Sequence, residues 1–131
     1  MIIFNFGPLS KDELTITLDD EGARLLRSRT AALAHCASLV ERVDCFCYSG
    51  ENLERAQIEL RAENPDLLER GKGKLLLRLS GDAIEYADHQ LEVFLEKGYF
   101  FPAEYWSFSR SDRKYDTQVF FEKFAATNAV A

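Results

Sequence analysis

The chain predicts an α+β fold: a mainly antiparallel sheet with two principal helices packed on one face. Three observations carry this expectation. Short apolar or alternating runs recur at residues 1–6, 13–18, 43–48, 56–63 and 74–79, as expected of strands with one or both faces buried. Two stretches, 22–37 and 82–97, instead place apolar residues three and four apart, the helical period. Several of the connections between strand candidates are short and carry Gly, Pro, Asn or Asp, which suits tight turns and a meander.

Residues 1–6 read as an apolar strand that Gly7-Pro8 brings to an end, because proline cannot donate to a ladder. In 13–18, Leu14, Ile16 and Leu18 alternate with Thr15 and Thr17, so this strand has one buried face and forms a hairpin with the first. Asp19, Asp20 and Glu21 then supply the cap and the negative charge that a helix start favours. The helix over 22–37 buries Ala23, Leu26, Thr30, Leu33 and Ala37 and shows Arg24, Arg27 and Arg29 on its other side.

Residues 43–48, VDCFCY, form a strand with Cys45 and Cys47 on the same side, ending at Ser49-Gly50. The stretch AQIELRAE, 56–63, alternates Ile58, Leu60 and Ala62 and is read as a strand, although the preceding ENLERA also suits a helix start. Asn64-Pro65-Asp66 turns the chain, Leu67-Leu68 begins a short apolar piece, and Gly71-Lys72-Gly73 turns it back into the strand 74–79. Ser80 or Asp82 caps a second helix, which buries Ile84, Ala87, Leu91, Phe94 and Leu95 and stops at Lys97-Gly98. An aromatic segment follows, with Tyr99, Phe100, Phe101, Tyr105, Trp106 and Phe108; residues 115–124 suit either a short strand or a helical turn, and 125–131 read as a frayed tail.

The stretches TITLDDEGARLL and LLRLSGDAIEYA share the plan strand, cap, helix. That echo fits an internal duplication, or simply the capping chemistry any strand-to-helix junction needs, and the second reading is favoured.

Composition narrows the function classes. At 131 residues the chain suits one domain, 1–131, and its 47% apolar content with 12% aromatics supports a core without staples. A net charge of -6 argues against a nucleic-acid or anionic-membrane partner, because phosphates call for concentrated Lys and Arg. The N-terminal stretch lacks the basic start and cleavage site of a signal peptide, and no apolar run approaches ~20 residues. A cytoplasmic protein is expected, its three cysteines, Cys36, Cys45 and Cys47, reduced and structural.

No catalytic constellation emerges, so no enzyme, cofactor or metal site is expected. GKGK lacks the spacing and the Ser or Thr of a phosphate loop and reads as a hairpin turn. His35 and His89 stand in no recognisable motif, and pairing Cys36 with His89 would need tertiary proximity. The Asp19-Asp20-Glu21 run is better explained as capping than as metal ligation.

Two surfaces stand out instead. Asp82, Glu85, Asp88, Glu92 and Glu96 share a helical face, and carboxylates in a row attract a basic partner. Tyr105 and Trp106, with Glu104 and the charges of 110–114 beside them, have the make-up of an aromatic patch with a charged rim. Small size, acidic balance, the missing catalytic motif and this acidic-plus-aromatic character resemble the small immunity proteins of bacterial polymorphic toxin systems. The resemblance implies an inhibitor that binds a cognate toxin domain, one with a basic cleft. Alternatives are a structural or adaptor subunit, including a homodimer formed through the aromatic segment or an open sheet edge, and a small-molecule-binding protein using a pocket near Cys45, Cys47, Tyr48 or His89.

Overall fold

The computed structural model describes residues 1–7 and 10–124. In chain order the elements are β1 (Ile2–Phe6), β2 (Glu13–Leu18), α1 (Asp20–Ala34), β3 (Val40–Ser49), β4 (Asn52–Ala62), β5 (Leu67–Gly71), β6 (Lys74–Leu79), α2 (Gly81–Lys97), β7 (Glu104–Phe108) and β8 (Thr117–Lys123). The fold is α+β with two helices, as the periodicities indicate. Residues 56–62 belong to strand β4, which begins earlier, at Asn52, in the stretch that also suits a helix start; residues 115–124 supply β8, and the aromatic segment contributes β7, for which sequence pattern offers no expectation. The tail 125–131 lies outside the described residues.

The eight strands form one sheet in the order β5-β6-β4-β3-β1-β2-β8-β7. The expectation of a mainly antiparallel sheet is corrected. Four hairpins are antiparallel, but β1–β3, β4–β6 and β2–β8 run parallel. The reason is the helical connections. Helix α1 follows Leu18, and β3 starts beside the C-terminal ends of β4 and β6, at the same end of the sheet. Strand β3 therefore runs opposite to β2 and parallel to β1.

The sheet also curls until its two edges meet. The Leu68 N–H donates to the Ser109 carbonyl at 2.9 Å, Leu67 and Ser109 form a parallel bridge, and the Trp106 indole N–H donates to an Asp66 carboxylate oxygen at 3.0 Å. The result is a nearly closed barrel, which removes the long open edge that a strand-mediated homodimer would need.

The topology repeats. Each half is hairpin, helix, hairpin, and the two halves join through the parallel pairs β4–β6 and β2–β8. The buried residues of α1 are Gly22, Ala23, Leu26, Thr30 and Leu33; adding 61 to each number gives Ala83, Ile84, Ala87, Leu91 and Phe94, all buried in α2. The same offset carries buried Leu14, Ile16 and Leu18 onto buried Leu75, Leu77 and Leu79. It also carries Asp19 onto Ser80, the two N-caps, whose side chains accept from Gly22 N and Ala83 N. The echo between the two strand–helix stretches thus reflects equivalent positions in the fold, not capping chemistry alone.

Both helices bury their apolar faces against the inward residues of the strands in one continuous core. Tertiary packing decides α1's first turn. A Cβ on Gly22 would lie 2.3 Å from the Met1 carbonyl oxygen, so only glycine lets the helix approach β1. Helix α2 ends as its sequence indicates, on Gly98 in the left-handed region at φ 81°, whereas α1 ends with Cys36 at φ 57°, a conformation that disfavours a side chain.

One charge on the outer face is buried. Glu59 is 1% exposed although its neighbours Ile58 and Leu60 take the inward side. Its carboxylate accepts from Arg42 at 3.0 Å and Arg61 at 2.6 Å, with the Lys74 ammonium at 3.3 Å. The side chains of these cations cover it, and the hydrogen bond from Arg61, then that from Lys74, with the charges of both, holds the pKa of its carboxyl down at about 2.

Candidate functional site

The pseudo-symmetry sets the two helices against each other. Arg27 and Asp88 are equivalent under the offset of 61, and they pair, with Arg27 Nε 3.3 Å from Asp88 Oδ1. Arg27 Nη2 also reaches Glu92 Oε2 at 3.5 Å. Sequence makes the two exposed faces unlike. Where α1 presents Arg24 and Arg27, α2 presents Glu85 and Asp88.

Between the C-terminal part of α1 and the first half of α2 lies a groove of about 940 Å³. Four of the five stripe carboxylates line it: Asp82, Glu85, Asp88 and Glu92. Glu63, from the loop after β4, adds a fifth carboxylate to the wall; it stands 3.8 Å from Arg78. Glu96 is exposed on the same helix but lies outside the groove. Asp82 and Glu85 form no ion pair among the described residues, so the negative field of the groove is only partly cancelled. His35 and Cys36, adjacent in sequence, share this groove with the distant His89.

The aromatic expectation is corrected residue by residue. Tyr105 is 5% exposed, and its hydroxyl donates to the Ala83 carbonyl at 2.6 Å; burial, then the nearby Asp66 charge, raises its pKa. It is a core residue that ties β7 to α2 and cannot face a partner. Trp106 is half-buried, and its indole N–H is committed to Asp66 across the barrel seam. Local sequence carries no sign of this, because the bulge between Glu104 and Trp106 breaks the alternation of β7 and leaves Tyr105 and Phe108, three residues apart, both buried.

The most exposed aromatic among the described residues is Phe101, 83% open to solvent, with Tyr99 beside it also exposed. With Pro102 it flanks a small pocket lined also by Tyr86, His89, Gln90 and Val93 of α2. His89 lines both this pocket and the acidic groove, so the two lie next to each other on α2. Gln90 fixes the aromatic exit there, donating through Nε2 to the carbonyls of Pro102 at 2.9 Å and Glu104 at 3.0 Å.

The remaining candidates fall apart spatially. Cys45 is buried, and burial, with Cys47 and Asp44 adding to it, pushes its thiol up to about 12, which makes it an inert core residue. Cys47 and Tyr48 line a different cavity, at the other end of the barrel from Asn64 and Asp82. No group of three or more His, Cys, Asp or Glu side chains able to hold a metal ion occurs among the described residues, and none of their helices is long and apolar enough to cross a membrane. Comparison with protein-family models, curated proteins and solved structures finds no match.

Proposed function

We propose that this chain is a protein-binding module whose acidic groove receives a basic segment of its partner while Phe101 anchors the contact. The observation that carries this reading is the position of the Phe101 pocket beside the groove, with His89 of α2 lining both. Carboxylates at a groove speed encounter with a positive partner, and an aromatic ring beside them supplies desolvated contact area. In the immunity-protein reading that partner is a toxin domain with a basic cleft, which the chain blocks without chemistry of its own.

Coexpression with the product of the neighbouring reading frame tests the proposal. The expected result is a 1:1 complex that weakens as salt rises. Reversing Glu85 and Glu92 to lysine slows association about tenfold, while Phe101→Ala mainly speeds dissociation, also by about tenfold. Folded variants that bind with unchanged rates would reject this surface, as would a complex indifferent to salt.

A further inference from the structure

The end of the barrel remote from the acidic groove carries the opposite charge. Strands β1 and β3 stop there at Phe6 and Ser49, and the β5–β6 turn closes beside them, leaving a cavity of about 750 Å³. Its lining includes five cations, Lys11, Arg70, Lys72, Arg110 and Arg113, against two carboxylates, Glu54 and Asp112. The mouth is therefore cationic by three charges in a chain whose net charge is -6.

Internal pairing lowers this excess to two, because Asp12, just outside the lining, neutralises Arg113. Arg110 is bound by Asp112 through two hydrogen bonds of 3.0 and 2.7 Å, and Arg113 by Asp12 at 2.9 Å. Lys11, Arg70 and Lys72 form no ion pair among the described residues. Two of the five cations, Arg70 and Arg110, are held in place by the Phe6 ring. Arg70 follows buried Leu68 by two residues on β5, so it leaves the strand on the inward side, where it stands exposed at the mouth. Its guanidinium carbon sits 4.3 Å from the centre of the Phe6 ring, which also holds that of Arg110 at 5.4 Å. The Arg110 side chain is only 4% exposed. With Arg110 already neutralised by Asp112, the unpaired charges that an anion at this wall would meet are those of Arg70 and Lys72.

We propose that this mouth binds a small polyanion through its phosphate groups, a phosphorylated metabolite or nucleotide. The cavity has the size of a small-molecule site, the remaining excess of two positive charges suits one or two phosphates, and guanidinium and ammonium groups are the usual phosphate donors. Lys72 acts here from a hairpin turn and not from a helix-opening loop. A polynucleotide fits less well, because Glu51 and Glu54 stand on the β3–β4 hairpin at the rim, where a phosphate chain would have to pass.

Titration calorimetry of the full chain with tripolyphosphate and with ATP tests this at about 0.05 M salt. The expected result is saturable binding of both with Kd below about 1 mM, weakened roughly tenfold by Lys72→Gln and by Arg70→Gln, and unchanged by Glu85→Gln at the other end. Lys72 is exposed in a turn, so its variant keeps the test valid if Arg70→Gln disturbs the stack on Phe6. Amide shifts of Ser49, Gly71 and Gly73 report that the ligand sits in the mouth. Absence of saturable tripolyphosphate binding up to about 10 mM, an unchanged Kd in Lys72→Gln, or tighter binding of a single-stranded RNA oligomer than of tripolyphosphate each overturns the proposal. None of these outcomes bears on the acidic groove.

Discussion

Replacing Glu59 by glutamine removes one charge and almost no volume, and three cations lose the anion they share. With the carboxyl held down from 4.5 to about 2, the full linkage at ~1.36 kcal/mol per pH unit is roughly 3.4 kcal/mol. That figure is a ceiling, since the cluster sits on the outer face and Arg42, Arg61 and Lys74 are themselves 39–56% exposed; solvent screening brings the expectation to about 1–2 kcal/mol. The folded pKa is depressed, so the stabilisation is complete above the unfolded value and disappears as pH falls through the folded one. Urea denaturation of both proteins from pH 7 to pH 2 measures it. The wild type should exceed Glu59→Gln by about 1–2 kcal/mol at pH 7, and the gap should close between roughly pH 4.5 and pH 2. A gap that is absent at pH 7, or that stays constant down to pH 2, would refute the argument that ionised Glu59 holds β3, β4 and β6 together.

Asp66→Ala should destabilise the protein by about 2–3 kcal/mol in urea, because this carboxylate accepts from Ser80 N, Ser80 Oγ and Trp106 Nε1 and so ties the α2 cap to the barrel seam. Gly22→Ala, which raises helix propensity by about 1 kcal/mol, should still lower the melting temperature, since the added Cβ meets the Met1 carbonyl oxygen. Cys36→Gly should do the reverse and raise stability by about 0.5–1 kcal/mol by relieving the left-handed conformation at the end of α1.

The repeat was already legible in the residues. Leu14, Ile16 and Leu18 against Leu75, Leu77 and Leu79 show the same alternation before a cap, but caps recur at every strand-to-helix junction, so local pattern could not separate duplication from common chemistry. The acidic stripe was legible because it depends only on helical spacing. Its partner Arg27 was visible as a surface charge, yet nothing local said that it would face Asp88. Glu59 illustrates the limit most sharply: alternation puts it on the outer side correctly, but its burial comes from side chains on two neighbouring strands as well as its own.

Sequence alone determined the strands and helices of the larger elements, their caps and stops, and the surface chemistry of α2, since each depends on interactions within a few residues. Tertiary structure decided the parallel pairs, the closing of β5 on β7, the inward turn of Tyr105 and the exposure of Phe101. It also gathered Lys11, Arg70, Lys72, Arg110 and Arg113 at one mouth from across the chain. Those outcomes depend on which strands become neighbours, a choice made by burying the whole apolar surface at once, and no short window of sequence contains it.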